Sequence, residues 1–255
     1  MSGGHGHGHA LYRPGDSPVH RLPAHVKIVA LLAFVLVVVA TPRDEYWAFG
    51  AYAVLLGVVA AVAGVPAGLI IRRMVVEVPF VVFAVLMPIV SQGPRIDVLG
   101  LSLSEHGLLT GWNILAKGTL GVVASILLAA TTDVRSLLAG LQRLRVPDRL
   151  VEIASFMIRY ADVVTGDMRR MRIARESRGF EARHLGHARV VAQGAGALFV
   201  RSYERGERVH LAMLSRGYAG AMPLTTTAVT TRADWLRGAA LPLAAAVVAV
   251  VAVLA

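Results

Sequence analysis

Two heptapeptides 38 residues apart carry the same constellation: Ala174-Arg-Glu-Ser177-Arg178-Gly179-Phe180 and Ala212-Met-Leu-Ser215-Arg216-Gly217-Tyr218. Both fit A-x-x-S-R-G-[FY]. A glycine after a helix takes the left-handed conformation at little cost. Gly179 and Gly217 therefore read as helix stops that leave Arg178 and Arg216 on the final turn, where a cation suits the negative end of the helix dipole. Ala174 and Ala212, four residues earlier, share a face with the arginine and let another surface come close. Phe180 and Tyr218 can pack back as a hydrophobic stop. A guanidinium so placed is a planar fork of donors suited to a carboxylate. Two equivalent tips imply two equivalent receptors.

Other residues offer chemistry less sharply. His5, His7 and His9 alternate with glycine, so in an extended chain three imidazoles share a face and could chelate Co²⁺ or Ni²⁺. With no carboxylate or thiol nearby, an inert tail is the plainer reading. Lys117, with Asn113 one turn away, sits mid-way along an apolar run, and an intramembrane lysine is a functional candidate by default. Burial against a carbonyl or a partner helix is the alternative. Glu77 lies near the end of another run, at a depth that argues against pairing with Lys117. The stretch Gly111–Thr119 has its lysine before the glycine, so it is no phosphate loop. No paired acids for Mg²⁺-diphosphate chemistry occur in a connecting loop. Enzymatic activity and a resident cofactor are not expected. The chain has no cysteine, which excludes disulfides and thiolate chemistry.

The elements that must position these residues are apolar. The 255 residues are 56% hydrophobic and only 16% charged, yet formally +10, with a mean hydropathy of +0.62. Apolar runs near 26–41, 46–65, 75–90, 107–130 and 236–254 approach the roughly 20 residues that a bilayer core requires. Pro79 and Pro88 are expected to kink the third. The expected fold is all-α: a multi-pass membrane protein with about five transmembrane helices and a cytosolic pair of long amphipathic helices. Cytoplasmic loops carry the excess of arginine and lysine. Arg13, Arg21, Lys27, Arg72 and Arg73 therefore mark one side, as does everything after Thr132. The turn 41–45 and the loop 91–105, both net negative, mark the other. The Gly- and His-rich start lacks the cleavage pattern of a secretory signal.

Segment 133–218 holds 16 of the 24 arginines against nine acids, a net +7. After Pro147, apolar residues at 150, 153, 157, 160, 164, 168 and 171 draw one helical stripe. Continued to Arg178, that helix would run about 46 Å. A second helix is expected over roughly 196–216, with Glu204 and Arg208 at a favourable i,i+4 spacing. The stretch 188–200 is too short and too polar to be assigned to the membrane or to water.

The duplicated motif on paired helices resembles the transmembrane T component of energy-coupling factor transporters, and more narrowly the cobalt/nickel branch, the CbiQ family. Ser17–Val29 ("SPVHRLPAHVKIV"), Thr41-Pro42, Leu127–Asp133 ("LLAATTD") and Phe156–Tyr160 ("FMIRY") are also similar to that branch. Pro23-Ala24 departs from the Asp-Pro pair common there. The resemblance implies a subunit of the cell membrane that joins a substrate-binding, metal-type S component to two ATP-binding cassette ATPase subunits, with a small accessory membrane subunit as a further candidate partner. Arg178 and Arg216 match the family's coupling arginines, with Ala174, Ser177, Gly179, Ala212, Ser215 and Gly217 around them. Membrane lipid is the remaining partner, and nucleic acid is not one. The organisation is then a tail over 1–25, four membrane helices over 26–132, a coupling domain over 133–218, and a linker with a last membrane helix over 219–255. Cobalt is the favoured cargo, and nickel or a vitamin the alternative. From other classes, a membrane transferase and a lipid-binding anchor are the rivals.

Overall fold

The computed structural model describes residues 12–91, 94–98, 101–180, 184–218, 220 and 230–254. These form ten helices and one short hairpin: α1 (Pro18–Arg21), α2 (Ala24–Ala40), α3 (Tyr46–Ala63), α4 (Ala67–Arg73), α5 (Val78–Val90), β1 (Arg95–Val98), β2 (Leu101–Ser104), α6 (Glu105–Thr131), α7 (Val134–Arg143), α8 (Asp148–Glu176), α9 (Ala188–Leu214) and α10 (Arg232–Leu254). The architecture is that of a helical multi-pass membrane protein. Among the described residues four helical segments are long and apolar enough to cross a bilayer: α3, the α4–α5 stretch Ala67–Val90, α6 and α10. A fifth, α2, has 17 residues, the lower bound for a span.

The chain divides into two compact units. One comprises residues 11–140 and 227–255, the other chiefly 141–226, with the division falling inside α7. In the membrane unit, α2, α3, α6 and α10 surround a core of Phe34, Val38, Phe49, Tyr52, Leu120 and Leu127. Tyr52 is completely buried, and its hydroxyl meets the Thr41 hydroxyl at 2.8 Å. Thr41 donates its own proton to the Val37 carbonyl, so Tyr52 is the donor to Thr41.

Two features depart from the sequence expectation. The third span begins at Ala67, eight residues early, and its break is a 3-10 turn over Met74–Glu77. Pro79 sits in the first turn of α5, where its missing N–H costs nothing, so the break precedes it. The loop 91–105 contains the antiparallel pair β1–β2, in register Arg95↔Ser104. Alternation of Ile96, Val98, Leu101 and Leu103 with polar residues gives this segment the period of a strand.

Glycines set the closest helix contacts. A Cβ at Gly107 would lie 2.5 Å from the Met87 carbonyl oxygen, and one at Gly111 2.5 Å from that of Ala84. This Gly-x-x-x-Gly face lets α5 lie directly on α6, as small residues do between membrane helices. Glu77, 3% exposed, accepts a hydrogen bond from Thr119 on α6.

The Arg-rich unit is a pair of long helices. α8 and α9 are tied by Tyr218 donating to Glu152 at 2.6 Å and by Arg205 to Asp167 at 3.1 Å. The expected stripe on α8 splits. Tyr160 and Val164, with Phe156, line a cavity of about 410 Å³ against Val209 and Met213 of α9. Leu150, Ile153, Met157 and Met168 stay more than half exposed. Helix α9 starts at Ala188 rather than near 196. It runs through Gly194 and Gly196, each a penalty of about 1 kcal/mol against alanine, because packing on α8 outweighs propensity.

Candidate partner-binding tips

Both repeated motifs close their helices with one hydrogen-bond pattern. At the first, Phe180 N–H donates to the Arg175 carbonyl (3.1 Å) and Gly179 N–H to Glu176 (3.0 Å). At the second, Tyr218 donates to Met213 (3.1 Å) and Gly217 to Leu214 (3.0 Å). These are the paired bonds of a Schellman cap. Gly179 and Gly217 have φ of +76° and +81°, and a Cβ at either would meet nothing within 4 Å among the described residues. The glycine is therefore needed for its backbone angle and not for space. The serines add a third matching element: Ser177 Oγ donates to the Ala174 carbonyl at 3.1 Å and Ser215 Oγ to Ala212 at 3.0 Å.

The α-helices proper end at Glu176 and Leu214, so Arg178 and Arg216 stand in the closing turn, one step beyond the last helical turn. Both arginines are exposed, as are Ala174, Ser177, Gly179, Ala212, Ser215 and Gly217. Neither guanidinium enters an ion pair among the described residues, unlike Arg170, Arg172, Arg205 and Arg208. The tips are pre-shaped and their charges are uncompensated.

The aromatic residues distinguish them. Phe180 stacks at a tilt on His187, 5.1 Å between centroids. Tyr218 packs edge-on against His210 and adds the hydroxyl bond to Glu152, which holds its phenol above the ordinary tyrosine range. On the same helix pair, hydrogen bonds from Arg170 and then Arg205 hold Asp167 below the usual carboxylate range. Glu152, Asp167 and Arg205 are thus the supports of the tips. In the sequence Glu152 reads only as a polar position off an apolar stripe, Arg205 as one of several charged residues on a face of the second helix, and Asp167 as one of nine acids.

The remaining candidates lie elsewhere. Lys117 donates to the carbonyls of Val39 (2.8 Å) and Thr41 (3.0 Å), at the end of α2. Asn113 Oδ1 is buried without a hydrogen-bond partner among the described residues. His5, His7 and His9 lie outside the described residues. No group of three or more His, Asp or Glu able to hold a metal ion occurs among the described residues.

The four long apolar helices define a helical multi-pass membrane protein. The profile of the cobalt transport protein family CbiQ matches residues 15–228, and the chain belongs to that family. It is 29% identical to the cobalt transport protein CbiQ of Rhodobacter capsulatus over 50% of this chain and 52% of that one. To the putative fused cobalt transport protein CbiMQ of Methanocorpusculum labreanum it is 27% identical, over 51% of this chain and 22% of the other. Identity to the energy-coupling factor transporter transmembrane protein EcfT of Bacillus subtilis is 26%, over 82% and 83%. The chain spans about half the length, or less, of several of the curated relatives it matches.

Proposed function

We propose that this chain is the energy-coupling membrane subunit of an energy-coupling-factor importer for cobalt ions. In this reading it is not itself an enzyme. It joins two ATP-binding cassette ATPase subunits to a substrate-binding S component, and the Arg-rich unit lies in the cytosol. The observation that carries the reading is the pair of identically capped tips, each with an exposed arginine that has no ion pair among the described residues. Each guanidinium enters a groove on one ATPase subunit and pairs with a carboxylate there. The uncovered apolar side chains of α8, Leu150, Ile153 and Met157 among them, supply a surface for the S component. Similarity to relatives named CbiQ and CbiMQ supports cobalt. Similarity to EcfT supports the coupling role.

Removing one partner of a buried, hydrogen-bonded charge pair typically costs about 2–5 kcal/mol. Arg178→Ala and Arg216→Ala are each expected to cut cobalt uptake severely while the protein inserts normally. The double variant is expected to release the ATPase subunits, because either tip alone keeps part of a bivalent anchor. Arg→Lys rescues only in part, since an ammonium lacks the planar fork. Co-purification of ATPase subunits with these variants, beside Arg143→Ala and Arg169→Ala, decides the matter. Equal effects at all four arginines would leave a basic patch that binds anionic lipid and end the coupling reading.

A further inference from the structure

In the membrane unit an open-sided cavity of about 310 Å³ lies among α1, α2, α3, α6 and α10, lined by side chains such as Leu31, Phe34, Leu55, Leu127 and Leu241. That volume is at the small end of ligand-sized sites. Two cations reach it, Lys27 and Arg237. Lys27 is fully engaged, its ammonium donating to the His20 carbonyl (3.3 Å), the Thr131 carbonyl (2.9 Å) and Thr132 Oγ1 (3.1 Å). Arg237 is exposed and enters no ion pair among the described residues. The neighbouring Asp234 carboxylate accepts instead from Thr231 N–H and Oγ1, at 2.9 and 2.8 Å.

The level of Arg237 is marked by two contacts. Trp235, 44% exposed, meets His25 edge-on at 5.8 Å, an amphipathic ring of the kind that settles at a bilayer interface. Gly238 abuts Val26 so closely that a Cβ would fall 2.2 Å from its Cγ1. This contact fixes the start of α10, and with it Arg237, at the rim. An apolar chamber thus opens beside a guanidinium that forms no close ion pair among the described residues and feels the nearby Asp234 charge, at interfacial depth, at the end of the bundle that the arginine distribution assigns to the cytoplasm. That leaflet carries a negative surface potential, and basic pockets between helices there bind anionic headgroups.

We infer that this cavity binds one anionic phospholipid, an acyl chain filling the chamber and the headgroup phosphate paired with Arg237. The test uses the full-length protein in vesicles, with Trp47→Phe and Trp112→Phe leaving Trp235 as the single tryptophan. Phosphatidylglycerol brominated on its acyl chains, or phosphatidylcholine brominated alike, is titrated into phosphatidylcholine bilayers and the quenching of Trp235 is followed. The anionic lipid is expected to associate roughly fivefold more strongly, the worth of one interfacial cation. Arg237→Gln removes that preference, whereas Arg232→Gln keeps it. Ala240→Phe narrows the chamber from an exposed lining position and weakens quenching by both lipids, with the milder Ala240→Leu as a second variant. Equal quenching by the two lipids overturns the site, as does equal loss with Arg232→Gln and Arg237→Gln. Unchanged quenching in both Ala240 variants would remove the acyl chain from the chamber. Because the probe lies in both leaflets, the outcome depends neither on membrane orientation nor on the coupling role.

Discussion

The Tyr218 hydroxyl reaches across 66 residues to the Glu152 carboxylate, 2.6 Å away. One motif is thereby fastened to the opposite helix of its pair, whereas Phe180, its counterpart in the other copy, has no hydroxyl to use. Tyr218→Phe makes the two copies alike. The expected result is a wider distribution of distances between α8 and α9, read by spin labels on cysteines at exposed Arg159 and Arg208, with an unchanged helical content. A distance distribution identical to that of the unsubstituted protein would show that the hydroxyl bond does not hold the tip.

The same helix pair is expected to loosen at both ends of the pH scale. Asp167 is depressed by its arginine partners, so its contribution is complete above the ordinary carboxylate value of about 4. It is lost as pH falls through the lower folded value. Tyr218 is raised by Glu152. Its contribution is complete below about 10 and disappears as pH climbs through the higher folded value. The α8–α9 label distance should stay flat from about pH 5 to 9. Asp167→Asn should remove the acid limb and Tyr218→Phe the alkaline one.

Lys27 and Lys117 cap each other's helices. Lys27 of α2 donates to Thr131 at the end of α6, and Lys117 of α6 donates to Val39 and Thr41 at the end of α2. The two clamps lie about 20 Å apart along antiparallel helices. Replacing either lysine by methionine strands carbonyls that have no other donor among the described residues, at about 1–3 kcal/mol. A fall in melting temperature of about 2–4 °C per kcal/mol is expected. The double variant should show the sum of the two effects, since the sites are well separated. Loss of transport without loss of stability in Lys117→Met would instead place that lysine on a cargo path.

Gly107 and Gly111 tolerate no side chain without moving α5. Gly111→Leu should separate α5 from α6 and leave the α2–α3–α10 packing in place. Disulfide trapping between cysteine pairs placed across the α5–α6 contact is expected to be slower in the variant than in the parent background. Trapping at equal rates would mean that the close approach is not needed.

Orientation is checked by single cysteines, simply made in a chain that has none. Cysteines at exposed Ser136 and Asp44 should label from opposite sides of the membrane. Labelling of both from one side would contradict the cytosolic placement of the tips.

Features that depend on composition and local period were legible in the sequence. Hydropathy alone locates the five apolar runs, and A-x-x-S-R-G-[FY] locates both glycine-capped ends. What the residues at 72 and 73 do was less visible. Read as a loop, they close α4, where cations suit a helix C-terminus. The Gly107-x-x-x-Gly111 spacing was a readable signal for close helix packing. By contrast, the partner of Lys117 is a pair of backbone carbonyls, which no residue type announces. The links Tyr218–Glu152 and Arg205–Asp167 join positions 66 and 38 residues apart, so no periodicity carries them. The apolar stripe of α8 predicted a buried face. Only its middle is covered, because a second helix hides one side of its partner and the stripe is wider than that contact.

The chain's two lysines are both committed to backbone carbonyls. Its remaining 24 side-chain cations are guanidinium groups, which are not nucleophilic at neutral pH. Acylating enzymes and ubiquitin-type conjugation therefore find no free side-chain amine, and reagents that label surface lysines have nothing on the Arg-rich unit to attack. Amine crosslinkers applied to an assembled complex should find no side chain of the Arg-rich unit to join. Carboxylate- or arginine-directed reagents would be the ones to capture it.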